Sequence, residues 1–198
     1  MKLSDRKRLH ILSAAEQLFY ENGVEHTSMD EVAKQANVSK RTVYNHFATK
    51  EALFHAILER MQQHLGDTTA IRFDPEQDLK KQLTAIAEQE AELLTSQNFL
   101  RAARIAFMQL LKQPELAKEL SANKIGCMTY LESFLHCAVS ARVLDIEDIE
   151  LAAKQFVYQL KSFIFYPHLY GFEVLDAEQE GYVIEQTIDM FLARYQVV

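Results

Sequence analysis

The fold is indicated most clearly by residues 27–47, which read TSMDEVAKQANVSKRTVYNHF. Ser28 precedes Glu31 by three residues, which is the capping-box spacing at the start of an α-helix. That helix must be short, because Asn37 tolerates a left-handed turn and Ser39 then offers a second N-cap. The segment therefore predicts two short helices joined by a tight turn, which is a helix-turn-helix.

The second of these helices is expected to have one buried side and one exposed side. Val43 is the apolar residue that we expect to point inward, and an α-helix rotates by 100° per residue. Four side chains then face outward and two lie at the margin: Lys40, Arg41, Tyr44 and Asn45, then Thr42 and His46. Such side chains carry donors for phosphates and for base edges in a DNA major groove. A solvated face on a purely structural helix pair is the alternative that these residues alone leave open.

The rest of the chain repeats apolar residues at the three- and four-residue spacing of helices, and no segment alternates as a strand does. Five Gly and three Pro among 198 residues are also too few for a turn-rich β fold. We predict an all-α fold of about nine helices: 5–22, 28–36, 39–47, 49–65, 74–95, 97–113, 115–141, 145–167 and 176–195.

The charge pattern separates the two ends of the chain. The net charge is -7, which excludes a protein that coats nucleic acid through bulk positive charge. Residues 1–60 nevertheless carry nine Lys or Arg against eight Asp or Glu, and they include a basic arm of Lys2, Arg6, Lys7 and Arg8. No apolar run exceeds four residues and no export signal precedes the first helix, so we expect a cytoplasmic protein without a membrane span.

The sequence of residues 6–60 closely resembles the N-terminal signature of the TetR/AcrR family of transcriptional regulators. The shared features are a first helix that ends in Asn22-Gly23, an Ala-x-x-Ala-x-Val-Ser turn, a Tyr-x-His-Phe exit, and Lys50-Glu51 at the start of the next helix. The one departure is Asn37, where the family usually has Gly, and Asn can occupy the same backbone region.

This resemblance implies a homodimer that binds a pseudo-palindromic operator in double-stranded DNA. We expect no cofactor and no metal. It also implies phosphate contacts from Ser28 and Lys50 at the N-termini of their helices. The full set of expected DNA contacts is Thr27, Ser28, Ser39, Lys40, Arg41, Thr42, Tyr44, Asn45, His46 and Lys50. The expected domains are a helix-turn-helix domain over 1–48, a connecting helix over 49–66, and an effector-binding and dimerisation domain over 67–198.

Beyond residue 60 the chain resembles the family in the order of its helices and in two short segments, LLKQPELA at 110–117 and AAKQF at 152–156. It implies that the C-terminal region binds an apolar small-molecule effector. Aromatic and Met residues in this region are together abundant enough to line an apolar cavity, although an aromatic stripe at helical spacing is more often part of a plain core. The candidate pocket residues are Phe107, Met108, Tyr130, Phe134, His136, Phe156, Tyr158 and Phe163.

The last predicted helix carries a broad apolar face, which we interpret as the dimer interface. Its residues are Val183, Ile184, Thr187, Ile188, Phe191, Leu192 and Tyr195. Packing of this face within one chain is the alternative.

Motifs of catalysis are missing from the sequence. It contains no His-Glu-x-x-His, no Gly-rich phosphate loop, no Gly-x-Ser-x-Gly elbow and no Cys-x-x-Cys, so we do not expect an enzyme. The leading hypothesis is a TetR-like DNA-binding regulator, and in particular a repressor. The rival is a helical ligand-binding or oligomerisation protein whose DNA-binding module no longer functions.

Overall fold

The protein is described here by a computed structural model that covers residues 3–66, 69–111, 126–172 and 174–197, with only the backbone for 61–66. Within these ranges no strand is present, and the single β contact is an isolated bridge between Leu144 and Gln196. With 149–170 counted as one continuous segment, the same ranges contain nine helical segments and one 3₁₀ turn. The prediction of an all-α fold is confirmed.

The helices are, in chain order, α1 (Leu3–Asn22), α2 (Met29–Gln35), α3 (Lys40–His46), α4 (Lys50–Gly66), α5 (Leu79–Thr95), α6 (Gln97–Leu110), α7 (Leu131–Ser140), α8 (Ile149–Leu160), α9 (Tyr166–Tyr170) and α10 (Ala177–Tyr195). A 3₁₀ turn (Gly126–Thr129) precedes α7, and a π-helical segment (Lys161–Phe165) joins α8 to α9.

Two compact units divide the chain. Unit 1 takes the described residues of Met1–His64 and Arg101–Ala122, and unit 2 takes those of Leu65–Leu100 and Asn123–Val198. The second part of α6 therefore packs with the N-terminal helices, which the order of the helices along the chain does not indicate. The functional boundaries at 48 and 66 stay a prediction, because compactness does not test function.

Local capping in unit 1 follows the sequence closely. Ser28 caps α2 with both halves of the capping box, since its hydroxyl accepts from the backbone N–H of Glu31 and the Glu31 carboxylate accepts from the Ser28 N–H. Asn37 has φ of 53°, in the left-handed region that the turn requires. Ser39 caps α3 by accepting from the backbone N–H of Thr42 at 3.2 Å. The predicted helix-turn-helix is confirmed in its boundaries and in its caps.

The core of unit 1 joins α1, α2 and α3 to the second part of α6. Val43 is fully buried, and Phe19, Val32 and Phe47 are nearly so. Ile105 of α6 belongs to the same buried cluster. The expected inward direction of Val43 is therefore confirmed, and it determines which side of α3 is free.

In unit 2, α5 begins at Leu79 rather than at residue 74. The carboxylate of Asp74 accepts from the Glu76 N–H at 3.0 Å, which folds this segment into a turn, and Gln82 holds that turn through the backbone of Asp74. Asp78 is then the N-cap, because its carboxylate accepts from the Lys81 N–H at 2.8 Å.

The boundaries of α8 also differ from the prediction. Asp148 and not Asp145 is its N-cap, because the Asp148 carboxylate accepts from the Leu151 N–H at 2.9 Å. Asp145 is paired with the far end of the chain, since its N–H donates to the carbonyl of Tyr195 at 2.8 Å. The helical path also passes Pro167 and ends at Gly171, which has φ of 74°. Pro167, which has no N–H to donate, comes directly after the π-helical segment Lys161–Phe165 and Tyr166.

The helix expected over 115–141 is described only from residue 126, because 112–125 lie outside the described residues. Its described part starts with the 3₁₀ turn, since Gly126 has φ of 62°. Glu90 of α5 is buried beside this turn and accepts the N–H of Cys127 at 2.8 Å. Burial raises the pKa of Glu90. Burial of the Cys127 thiol, together with the neighbouring Glu90 carboxyl, likewise raises the pKa of that thiol.

The apolar face of α10 packs inside unit 2 against α5 and α8. Of the seven residues expected at a dimer interface, five are buried in one chain, namely Ile184, Thr187, Ile188, Phe191 and Leu192. Val183 and Tyr195 are partly buried and pack against the same core. Most of this face is therefore packed within the protomer, and a dimer contact through these residues stays a prediction.

Candidate nucleic-acid interface

The exposed side of α3 lies directly opposite the buried Val43. Lys40, Arg41, Tyr44 and Asn45 are all exposed, and Thr42 and His46 are half-buried at the edges of this side. The Tyr44 side chain is 44% exposed although it is a large aromatic. Four donors on one short helix are thus available to a partner outside the protomer.

Lys40 is held by an ion pair that joins the two helices of the helix-turn-helix. Its ammonium lies 2.8 Å and 3.0 Å from the two carboxylate oxygens of Asp30 in α2. The hydrogen bond to Asp30 raises the pKa of the Lys40 ammonium, so Lys40 is fully charged at neutral pH. Both side chains remain largely exposed, and an exposed ion pair of this kind contributes little to stability.

At the start of α3, two hydroxyl groups are coupled to each other. The Ser39 Oγ lies 2.8 Å from the Thr42 Oγ1, and Ser39 is exposed. These hydroxyls and the first backbone N–H groups of α3 lie at the same end of the helix as Lys40 and Arg41.

The neighbouring residues Thr27 and Ser28 have different surroundings. Thr27 is buried, and its hydroxyl donates to the carbonyl of Gly23 at 2.9 Å, so its side chain is used inside unit 1. Ser28 is exposed at the start of α2, and the hydrogen bond from its backbone N–H lowers the pKa of the Glu31 carboxyl.

Lys50, the first residue of α4, reaches back to the loop between α1 and α2. Its ammonium donates to the carbonyls of Glu25 at 3.0 Å and Thr27 at 3.1 Å. Those bonds fix the start of α4 beside the start of α2. Lys50 is half-buried, and the Thr27 carbonyl that it binds directly precedes the exposed Ser28.

The basic arm forms the exposed first turns of α1, apart from Lys2, which lies outside the described residues. Arg6, Lys7 and Arg8 are exposed, and the Arg8 guanidinium lies over the Phe47 ring at 5.0 Å from its centroid. This contact places Arg8 beside the end of α3. Neither it nor the Lys40 ion pair follows from local spacing, because each joins residues that are ten or more positions apart.

Comparison with known proteins gives two family matches that together span most of the chain. The model described as "Bacterial regulatory proteins, tetR family" matches residues 11–57, and the one described as "AefR-like transcriptional repressor, C-terminal domain" matches residues 81–197. The HTH-type transcriptional regulator YhgD of Bacillus subtilis (strain 168) is 31% identical over 154 residues, which cover 75% of this chain and 77% of YhgD.

Solved structures agree with these matches. A TetR family transcriptional regulator from Pseudomonas syringae pv. tomato str. DC3000 has a TM-score of 0.84 and 32% identity, and the match covers 99% of this chain and 100% of that one. The flavonoid-responsive regulator FrrA has a TM-score of 0.76 and 29% identity, with 97% and 98% of the two chains covered. The chain belongs to the TetR family of bacterial transcriptional regulators. The family and fold are those of transcriptional regulators and not of enzymes.

The residues expected to line an effector pocket in this TetR-family protein have very different surroundings. Phe107 and Met108 belong to unit 1, and the other six belong to unit 2. Phe134, Phe156 and Tyr130 are buried in the core of unit 2. His136, Tyr158 and Phe163 are exposed. A shared pocket for these eight residues stays a prediction.

In the described part of the TetR-family chain, no helix is long and apolar enough to cross a membrane.

Proposed function

We propose that this TetR-family protein is a cytoplasmic, homodimeric repressor that binds a pseudo-palindromic operator through α3 and responds to an apolar small molecule. The single observation that carries the proposal is the exposed side of α3. Four polar side chains of this helix are exposed, whereas its Val43 is buried in the core of unit 1; the four are Lys40, Arg41, Tyr44 and Asn45. A module that no longer binds DNA has no need of four exposed donors on one side of one helix.

The roles of these side chains follow from their chemistry. Arg41 is the residue best suited to a guanine, because a guanidinium pairs bidentately with the O6 and N7 atoms of that base. Lys40 and the hydroxyl groups of Ser39 and Thr42 lie where phosphates pass the N-terminus of α3. A phosphate can replace Asp30 as the partner of Lys40 at small cost, since the exposed ion pair contributes little.

Two further positions are proposed as phosphate contacts. Ser28 is exposed at the start of α2, and Lys50 lies at the start of α4. The Thr27 side chain is buried, so we expect Thr27 to support DNA binding by holding the loop between α1 and α2 in place.

For the dimer we propose a surface next to the largely buried face of α10. Four large apolar side chains on the outer sides of α8 and α10 are about half exposed or more, namely Leu151, Tyr158, Tyr182 and Met190. The two helices lie side by side there, since the Gln159 amide nitrogen is 3.4 Å from the Met190 sulfur. We propose that these outer sides meet their copies across a two-fold axis.

Two relatives support the remaining parts of the proposal. The C-terminal family model is that of a transcriptional repressor, which supports repression. FrrA is flavonoid-responsive, which supports an apolar, aromatic effector for a chain with a similar fold.

DNA binding is tested by selection of duplexes from a random pool with the purified protein, followed by fluorescence anisotropy on the enriched sequence. We expect a pseudo-palindrome and an affinity that falls with rising salt. Arg41→Ala should cost about 1 to 3 kcal/mol and relax the preference at one base position. Arg72→Ala removes the same charge from an exposed position in unit 2 and should change neither. Failure to enrich any sequence would favour the rival, a helical protein with a non-functional module.

Dimerisation is tested by sedimentation at micromolar concentration. Met190→Glu should yield monomers, whereas Leu9→Glu, which changes an exposed apolar residue of α1, should leave the dimer intact. Dimers of normal stability with Met190→Glu would contradict the proposed surface.

A further inference from the structure

The Arg8 side chain, in the second turn of α1, is held in place but has no hydrogen-bonding partner. Its guanidinium carbon lies 5.0 Å from the centroid of the Phe47 ring. Phe47 is only 3% exposed and belongs to the core of unit 1, whereas Arg8 is exposed. Within the described residues the Arg8 side chain forms no hydrogen bond and no ion pair, although Asp5 lies only three positions before it.

The contact with Phe47 leaves the hydrogen-bond donors of Arg8 available. The attraction acts between the positive charge and the face of the ring, and it uses none of the five N–H groups of the guanidinium as a hydrogen bond. The ring also restricts the side chain, so less conformational entropy is lost when an anion binds. Arg8 is therefore a preorganised anion-binding group on the surface of unit 1.

Phe47 places Arg8 at the far end of α3 from Lys40. Phe47 directly follows α3, and its backbone N–H donates to the Val43 carbonyl at 2.8 Å, so its ring extends from the last turn of that helix. Because α3 has seven residues, its two ends are about 10 Å apart along the helix axis. The major groove of DNA is about 12 Å wide and has a phosphate backbone on each side. Cations at the two ends of α3 can therefore reach opposite strands.

An extended polyanion fits Arg8 better than a small anion does. A single contact with an exposed charge contributes little, because water and salt screen it. DNA adds a further driving force, since each neutralised phosphate releases condensed counterions. Residues 6–8 are three consecutive cations, and no carboxylate follows Asp5 before Glu16, so the local charge also attracts a polyanion.

We propose that Arg8 binds a phosphate of the operator strand opposite the one that Lys40 contacts, so that α3 is held across the major groove from both of its ends. This proposal rests on the proposed function, because it requires α3 to enter that groove. Unlike the contacts expected from α3 itself, Arg8 comes to the site only through the fold, since it belongs to α1.

The salt dependence of operator binding tests this contact. Fluorescence anisotropy on the selected operator is measured with the full chain over a series of KCl concentrations. Loss of one phosphate contact in Arg8→Gln should reduce the slope of the logarithm of affinity against the logarithm of salt concentration by about one for each bound protomer, and the base preference should stay unchanged. Arg8→Lys restores the charge and should restore the slope.

Arg6→Gln is the matched control, because it removes the same charge from another exposed position of α1. Arg6 lies about 200° around the helix from Arg8, on the side turned away from Phe47, so it should leave the slope nearly unchanged. Equal reductions with the two variants would mean a diffuse attraction to the basic arm and would overturn the specific contact. An Arg8→Gln protein that is less stable in urea but keeps the wild-type slope would show that the contact with Phe47 is only structural, which would overturn it too.

Neutral methylphosphonates at single positions of the operator identify the strand. We expect one position whose effect on wild-type binding disappears in Arg8→Gln, on the strand opposite the position whose effect disappears in Lys40→Gln. Two positions on the same strand, or no position that responds to Arg8→Gln, would overturn the proposal. Failure of the wild type to select any DNA sequence would instead overturn the proposed function and this contact together, so the two failures give separate results.

Discussion

Gly126→Ala tests the contact between the buried Glu90 and the 3₁₀ turn of unit 2. Gly126 has φ of 62°, and a Cβ built there would lie 3.0 Å from the Glu90 Cδ and closer still to Oε2. That oxygen is the acceptor of the Cys127 N–H at 2.8 Å, and Glu90 is only 2% exposed. The added methyl group therefore competes with a buried hydrogen bond for the same space.

Two costs add up for this substitution. A side chain in the left-handed region costs about 1 to 2 kcal/mol. To restore ordinary contact distances the Glu90 carboxyl must move away, which leaves the Cys127 N–H without its acceptor at a further cost of about 1 to 3 kcal/mol. We expect Gly126→Ala to lower the free energy of unfolding by about 2 to 5 kcal/mol in total.

The measurement is urea denaturation followed by circular dichroism at 222 nm. Gly171→Ala is the matched control in the same unit, because Gly171 has φ of 74° and its added Cβ would meet nothing within 4 Å. It should show only the backbone cost of about 1 to 2 kcal/mol. Gly181→Ala, in the interior of α10 with open space around it, should stabilise the protein by about 0.5 to 1 kcal/mol. Equal losses for Gly126→Ala and Gly171→Ala would refute the role assigned to Glu90.

Three other predictions concern titration, capping and charge. Burial raises the pKa of Glu90, so the folded state holds this proton more tightly than the unfolded state does. The free energy of unfolding of the wild type should therefore fall as the pH rises from the ordinary pKa of a Glu side chain through the raised one, and Glu90→Gln should abolish that fall. An identical pH dependence of the unfolding free energy in the two proteins would contradict this. Ser28→Ala removes the N-cap of α2 and should cost about 1 kcal/mol in urea denaturation, whereas an unchanged midpoint would mean that the cap is dispensable. Asp30→Asn removes the competing partner of Lys40 and a negative charge beside α3, so it should tighten operator binding. Weaker binding in anisotropy would argue against DNA contact at Lys40.

Short-range signals in the sequence were sufficient for the helix-turn-helix. The capping box at Ser28 and Glu31, the left-handed Asn37 and the N-cap at Ser39 each act within four residues, and all are present in the structure. The inward Val43 then determines the exposed side of α3 through helical geometry alone.

Helix starts were harder to predict where two acidic residues compete for one cap. Asp145 and Asp148 are both good N-caps by residue type. In the structure the Asp148 carboxylate caps α8, whereas the backbone N–H of Asp145 pairs with the carbonyl of Tyr195, fifty positions away. No local pattern contains that information.

The apolar face of α10 shows a different limit. Periodicity establishes that residues such as Ile188 and Phe191 are buried, but it does not establish whether the partner is the same chain or a second copy. In the structure α5 and α8 of the same chain provide the partner. The pairing of Asp30 with Lys40 likewise depends on helices brought together by the fold.

The π-helical segment Lys161–Phe165 also has a consequence for how homologous chains differ in length. Its hydrogen bonds run from residue i to i+5, so one turn accommodates about one residue more than an α-helical turn. Loss of a single residue here would convert the segment to a regular α-helical turn and leave α8 and α9 in the same phase. A deletion elsewhere in 149–170 would rotate everything beyond it by 100° and move Leu169 out of the interior. Single-residue gaps between related chains should therefore fall within 161–165.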